Sequence, residues 1–159
     1  MEATLEERLC VKDIVDHLER HLDLCSKKQI NSDMPARALR RIKVFLYKEW
    51  ICYKDTLKDS ILDSRDCVAI AAIANMLAKR KGIDTKIVSP RNLNRFLHAM
   101  LVYIKDGKQR VFELTSKQKY NCSYRTLSFD EIYTRLIYTR YLLPFLGIVR
   151  PNNHLKYLK

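Results

Sequence analysis

Residues 67–82 read CVAIAAIANMLAKRKG, and this stretch decides how the rest of the chain must be arranged. Its small, apolar composition predicts a helix that begins near Cys67 and runs to Lys81, and Gly82 is a typical residue to end it. The short side chains of Ala69, Ala71, Ala72 and Ala74 would let other elements approach the helix closely. We therefore expect this helix to be buried at the centre of the domain.

After Gly82 the pattern changes from helix to strand. Residues that favour strands become frequent, and Asp106-Gly107 is the two-residue signal of a β-hairpin. A small antiparallel sheet would follow the central helix. The predicted strands are Asp84 to Val88, Arg95 to Lys105 and Gln109 to Leu114, with a loop at Ser89 to Asn94.

Two helices are predicted before the central one. The first runs from Thr4 to about Cys25, because Thr4 and Glu7 have the spacing of a capping box, and the second runs from Asp33 to about Trp50. Each has an apolar stripe for burial. The stripes are Leu5, Leu9, Ile14, Leu18, Leu22 and Cys25, and then Ala38, Ile42, Phe45, Leu46 and Trp50.

A last helix is predicted from Phe129 to about Leu142, with Ser128 as its cap, Glu131 as the capping partner and Pro144 at its end. The predicted fold class is therefore α+β: N-terminal helices, a central helix that carries a cysteine at its start and packs on a small antiparallel sheet, and a C-terminal helix. We expect one domain over residues 1–159. Its parts are a helical N-terminal part (1–50), a core (51–116) and a basic C-terminal helical extension (117–159).

Composition points to a soluble globular protein with a strong positive charge. Apolar residues make up 47% and charged residues 30% of the 159 positions, and the net charge is +12. Such a field attracts an acidic protein or nucleic acid, whereas a charge spread over all faces would serve solubility alone. No apolar run approaches the ~18 residues of a membrane span. The candidate basic surface is Arg37, Arg40, Arg41, Arg135 and Arg140, with Lys43 and Lys48 nearby.

The cysteines indicate a reducing, intracellular location, and we expect a cytoplasmic protein. There are five, an odd number, with no C-x-x-C pair and no signal peptide at the start. Cys10, Cys25 and Cys52 are expected in the core or half-buried, and Cys122 is expected to be exposed. His17 and His21 lie one helical turn apart with Asp13 before them, but nothing supplies a fourth ligand, so neither a metal nor a cofactor is expected.

A nucleophile is predicted at Cys67. Backbone N–H groups and the helix dipole at a helix start favour a thiolate, and the same N–H groups can donate to an oxyanion. His98 and Glu113 follow on the predicted hairpin strands. A two-residue turn pairs residue 100 with residue 113, so Met100, His98 and Glu113 would share one face, with Glu113 diagonal to His98. A carboxylate there could orient the imidazole.

These residues resemble the transglutaminase-like superfamily over residues 50–116. Cys67 at a helix start, Gly82-Ile83 with Val88, His98-Ala99 and Glu113-Leu114-Thr115 follow the order and spacing of its motifs. The sequence departs from the pattern where Arg65 replaces a glycine, Met100 a tryptophan and Glu113 an aspartate. The resemblance implies a papain-like core with a Cys-His-acid triad, in a family of crosslinkers, amide hydrolases and proteases.

The predicted function is a thiol-dependent amide hydrolase or acyltransferase, a cysteine protease-like or transglutaminase-like enzyme that acts on a protein or peptide amide. Its catalytic residues would be Cys67, His98 and Glu113. Trp50 is a candidate oxyanion donor, although its place in the apolar stripe of the second helix favours a core tryptophan. The alternative is a catalytically inactive fold of the same type that binds nucleic acid or protein through its basic surface. The oligomeric state is left open.

Overall fold

The chain folds as four helices and a small antiparallel sheet, in a computed structural model that describes residues 4–6, 11–26, 30, 33–49, 67–91, 98–115 and 123–137. The predicted α+β class is confirmed, and Cys67 is the first residue of the central helix. The helices are α1 (Lys12–Cys25), α2 (Pro35–Glu49), α3 (Cys67–Arg80) and α4 (Phe129–Ile137). The strands are β1 (Thr85–Pro90), β2 (Met100–Lys105), β3 (Lys108–Phe112) and β4 (Tyr124–Thr126), in the order β3-β2-β1-β4.

The α3 helix is buried over almost its whole length, as predicted. Every side chain from Cys67 to Ala78 is buried, and the helix contacts α1, α2, α4, β1 and β2. Gly82 ends it with φ 75, and the N–H groups of Gly82 and Ile83 donate to the carbonyls of Lys79 and Ala78 at 3.0 and 2.9 Å. This is a Schellman cap, which reverses the chain and sends β1 back along α3.

The predicted hairpin is also confirmed. Asp106 and Gly107 have φ values of 52 and 71, the paired left-handed conformations of a type I′ turn. Lys105 pairs with Lys108, and the ladder continues to Leu101 opposite Phe112. The register is thus the one that the two-residue turn predicts.

The loop predicted at Ser89 is wrong, because β1 continues through Ser89 and Pro90. Both residues pair with β4, Ser89 opposite Arg125 and Pro90 opposite Tyr124. This partner strand was not predicted from the sequence. The next predicted strand is shorter than expected, since β2 begins at Met100, while residues 92–97 lie outside the described part of the chain.

The first predicted helix is interrupted at Val11, and α1 begins only at Lys12. Arg80 explains the break: its guanidinium contacts Glu6 at 2.7 Å, Asp16 at 2.6 Å and Glu19 at 2.9 Å. On one straight helix, the positions of Glu6 and Glu19 would lie about 20 Å apart. The chain must therefore turn between Glu6 and Lys12 to bring these carboxylates to one cation, and Val11 is not helical. The carboxylates, Glu6 first, hold the pKa of Arg80 above its usual value.

The predicted stripes mostly face the core. Ala38, Ile42, Phe45 and Leu46 are buried, as are Leu5, Leu18 and Leu22, but Cys25 is exposed rather than half-buried, because α1 ends beyond its last buried position. The capping box of α4 is formed: the Glu131 N–H donates to Ser128 Oγ, and Glu131 Oε2 accepts from the Ser128 N–H. Among the described residues, no helix has the length and apolar character needed to cross a bilayer.

Replacing Arg80 with methionine should destabilise the protein by about 2 kcal/mol, because three partly buried carboxylates lose their shared cation. Urea unfolding measures the change. The matched control is Lys12→Met, which removes an exposed cation from the same Asp16 and should alter stability little. Equal effects of the two substitutions would contradict the role given to Arg80.

Candidate active site

Cys67 occupies the predicted position at the N-terminus of α3. It is the first residue of the helix, so its side chain lies at the positive end of the helix dipole. The residue is 5% exposed and belongs to the main hydrophobic core cluster. The thiol is therefore at a helix start, as predicted, and it is also well shielded from solvent.

A buried hydrogen bond between α3 and β1 sets the position of Cys67 along the length of the sheet. The Thr85 hydroxyl donates to Asn75 Oδ1 at 2.7 Å, which fixes the helix against the strand that runs back along it. Cys67 lies eight residues before Asn75, about 12 Å along the helix. Ser89 lies four residues after Thr85, about 13 Å along the strand. Cys67 and Ser89 are thus brought to the same end of the helix–sheet layer.

His98 is held at this end of the sheet by its backbone. The Ser89 hydroxyl donates to the His98 carbonyl oxygen at 2.8 Å, and Arg135 of α4 donates to the same oxygen at 3.3 Å. A second Arg135 nitrogen reaches Ser89 Oγ at 3.5 Å. His98, two residues before β2 begins, is thereby tied to both β1 and α4.

The prediction that Arg135 forms part of a basic surface is wrong. Arg135 is 3% exposed and lies on the buried side of α4 with Ile132 and Leu136. Arg135 lies three residues after Ile132 and one residue before Leu136, which is the spacing of a core position. A count of positive charges takes no account of this spacing. Its guanidinium is used inside the molecule, where it donates to the His98 carbonyl.

The imidazole of His98 contacts the carboxylate of Glu113, as the register argument predicts. The Nε2–Oε2 distance is 2.6 Å, and both side chains are largely buried. The other carboxylate oxygen accepts the backbone N–H of Thr115 at 3.1 Å. Glu113 is therefore fixed at both oxygens, which is the arrangement that orients an imidazole.

The side of the sheet on which His98 lies is not set by strand alternation alone. Leu101 and Tyr103 belong to the core cluster that includes α3, whereas Met100 and Val102 form a separate cluster with Val88. An unbroken strand would put His98 on the Met100 side, away from α3. The regular strand begins at Met100, however, so the two preceding residues and their contacts determine where the imidazole points relative to Cys67.

Two residues of α2 that were not predicted as site residues hold the segment after β3. Lys43 Nζ donates to the Glu113 carbonyl at 3.1 Å, and the Tyr47 hydroxyl donates to the Leu114 carbonyl at 2.7 Å. Burial lowers the pKa of Lys43, and the negative charge of Glu113 opposes this shift. The sequence feature that could have identified Lys43 as inward-facing is its spacing. It lies four residues after Leu39 and three before Leu46, both of which are buried.

The remaining predicted residues are not brought to this site. Arg37 and Arg40 are exposed on α2, and Arg41 is half-buried there. Trp50, Arg140, Cys10, Cys52 and Cys122 lie outside the described residues. In the described part of the chain, no group of three or more His, Cys, Asp or Glu side chains is arranged to hold a metal ion.

No family model, no curated protein and no solved structure matches this chain. The resemblance to the transglutaminase-like superfamily therefore depends on residues of the chain itself. Two structural features concern the residues of its motifs: the His98–Glu113 contact and the place of Cys67 at the start of α3.

The neutral form of His98 should carry its proton on Nε2, because that nitrogen lies 2.6 Å from a carboxylate that can only accept. Long-range proton–nitrogen NMR spectra distinguish the two tautomers. In a Glu113→Leu variant the preference should weaken, because the acceptor is gone. A neutral wild-type imidazole protonated on Nδ1 would contradict the geometry.

An Arg135→Met substitution should destabilise the protein by about 2 kcal/mol, because the buried carbonyl of His98 loses a charged donor. Chemical denaturation gives the free energy of unfolding. Arg40→Met is the matched control on an exposed helix face, where a change within about 0.5 kcal/mol is expected. If both variants unfold like the wild type, the inward role of Arg135 is wrong.

Proposed function

We propose that the protein is a thiol-dependent amide hydrolase or acyltransferase that uses Cys67, His98 and Glu113. The observation that carries this proposal is the 2.6 Å contact between His98 Nε2 and Glu113 Oε2, at the end of the sheet that lies level with Cys67. The carboxylate is itself held by the backbone N–H of Thr115, so it can fix the orientation of the imidazole. A histidine that must accept and return a proton requires such an orientation.

The contact with Glu113 decides which imidazole nitrogen takes part in the reaction. Because Nε2 contacts the carboxylate, the proposed mechanism assigns the exchange of protons with the thiol to Nδ1. In the proposed first step, the proton of Cys67 Sγ moves to Nδ1. Glu113 stabilises the imidazolium that forms, and the N-terminal dipole of α3 stabilises the thiolate.

The thiolate then attacks the carbonyl carbon of an amide, and the C=O electron pair moves to oxygen. As this tetrahedral intermediate collapses, the C–N bond breaks, and the amine leaves with the proton from Nδ1. The acyl group is now a thioester on Cys67. Attack by water releases an acid, whereas attack by an amine forms a new amide. In either case Nδ1 accepts the nucleophile's proton and returns it to the sulfur.

Glu113 can replace the usual aspartate because the backbone after β3 is anchored at several points. Lys43 and Tyr47 bind the carbonyls of Glu113 and Leu114, and the Thr115 N–H binds the carboxylate. These bonds fix where the longer side chain begins and where it ends. The extra methylene is thus taken up without loss of the contact to His98.

A non-catalytic binding module is the second candidate, and one observation favours it. Cys67 is only 5% exposed and packs within the main hydrophobic cluster, as a structural cysteine does. In that case the His98–Glu113 pair would serve to fix the end of the sheet. The two candidate functions differ in whether the Cys67 thiol is a reactive nucleophile or a structural side chain.

Two general assays test the proposal: digestion of fluorescent casein for hydrolysis, and incorporation of a biotinylated amine into casein for transfer. Cys67→Ala and His98→Gln should each lower turnover about a thousandfold, because nucleophile and base act as a unit. Glu113→Gln should cost about 10- to 100-fold, since it removes orientation and charge but leaves the base. Cys25→Ala, a change at an exposed thiol, is the control and should keep full activity. Unchanged turnover in Cys67→Ala would refute the mechanism.

A further inference from the structure

A groove of about 810 Å³ lies between the C-terminal end of α1 and the outer side of α2, apart from the candidate active site. Among the described residues, four cationic side chains line it, together with one carboxylate, Glu49. Arg37 and Arg40 are exposed and form no ion pair within the described part of the chain. The cationic residues are Arg37, Arg40, Arg41 and Lys48.

The groove also has apolar walls. Val44 of α2 supplies the exposed apolar surface, with 45% of the residue accessible, whereas Leu22 and Phe45 lie beneath it at 1% and 6%. The exposed valine and the aliphatic stems of the arginines provide apolar contact. The guanidinium groups beside them provide paired N–H donors. A ligand that matches this surface must carry apolar side chains as well as negative charge.

The groove uses a different face of α2 from the one that holds Glu113. At about 100° per residue, Arg37, Val44 and Lys48 lie on average a little more than a quarter turn around the helix from Lys43 and Tyr47, and Arg40 lies between the two groups. The span from Arg37 to Lys48 is about 16 Å, the length of three helical turns. The groove can therefore be filled while the contacts of the candidate active site stay intact.

We propose that this groove is a docking site for an acidic protein segment with apolar anchor residues. Carboxylates on the segment pair with the guanidinium groups of Arg37 and Arg40, and an aliphatic side chain contacts Val44 and the apolar stems of these arginines. Charge complementarity argues for an acidic partner. Among the described lining residues the only aromatic one, Phe45, is 6% exposed and offers no face for base stacking, which favours an acidic protein segment over single-stranded nucleic acid.

The test uses a fluorescein-labelled peptide that repeats glutamate and leucine in a helical pattern, with fluorescence anisotropy at physiological salt. Binding should weaken about tenfold or more in the double variant Arg37→Glu/Arg40→Glu, because two attractive contacts become repulsive. Val44→Asp should also weaken it. The charge-matched control is Lys108→Glu/Arg110→Glu on the exposed face of β3, for which a change of about twofold or less is expected.

Cys25 gives a second readout, because it is exposed and lines the groove. Bound peptide should slow its alkylation by maleimide, measured by peptide mapping, and the double variant should abolish this protection. Three results would overturn the proposal. The first is equal weakening of peptide binding by the charge-reversal variants of the groove and of β3. The second is equal binding of a peptide with serine in place of leucine. The third is tighter binding of a random DNA oligonucleotide or of phosphatidylserine vesicles than of the peptide.

Discussion

A helix that is buried on every side must present small side chains where other elements cross it, and α3 meets this requirement with its alanines. Because α3 contacts three helices and two strands, it fixes the relative positions of everything around it. One polar contact inside this packing sets the register: Thr85 donates to Asn75, so the helix cannot slide along β1 without leaving a buried amide unsatisfied. The position of Cys67 relative to the end of the sheet follows from that bond.

The candidate site is held mainly through backbone atoms. Ser89 and Arg135 bind the carbonyl of His98, while Lys43 and Tyr47 bind the carbonyls that follow β3. With both backbones anchored, the imidazole and carboxylate meet at 2.6 Å with little freedom to separate. Such support is what a proton-transfer site requires, since small displacements of reacting groups reduce rates steeply. It also accounts for the burial of Arg135 on α4, whereas Arg37 and Arg40 on α2 are exposed.

Local rules predicted the parts of the fold that depend on local interactions. The Schellman cap at Gly82, the type I′ turn at Asp106-Gly107 and the capping box at Ser128 are each determined by a few neighbouring residues. The turn fixes the register as far as Leu101 opposite Phe112, so the approach of His98 to Glu113 was predictable. The contact itself is made just beyond the paired strands, by residues that precede β2 and follow β3. The break at Val11, strand β4 and the inward direction of Arg135 and Lys43 were not predictable. Each depends on a partner distant in sequence, such as Arg80 for Glu6 or β1 for β4.

The central claim is that Cys67 is activated by His98, and the thiol itself tests it most directly without knowledge of a substrate. Iodoacetamide labelling at about pH 6.5, resolved by peptide mapping, compares Cys67 with Cys25 in the same molecule. The account predicts that Cys67 reacts faster although it is buried and Cys25 is exposed, and that this advantage disappears in a His98→Gln variant. If Cys25 is labelled while Cys67 stays unmodified until the protein unfolds, Cys67 is a core residue and the enzymatic mechanism is wrong.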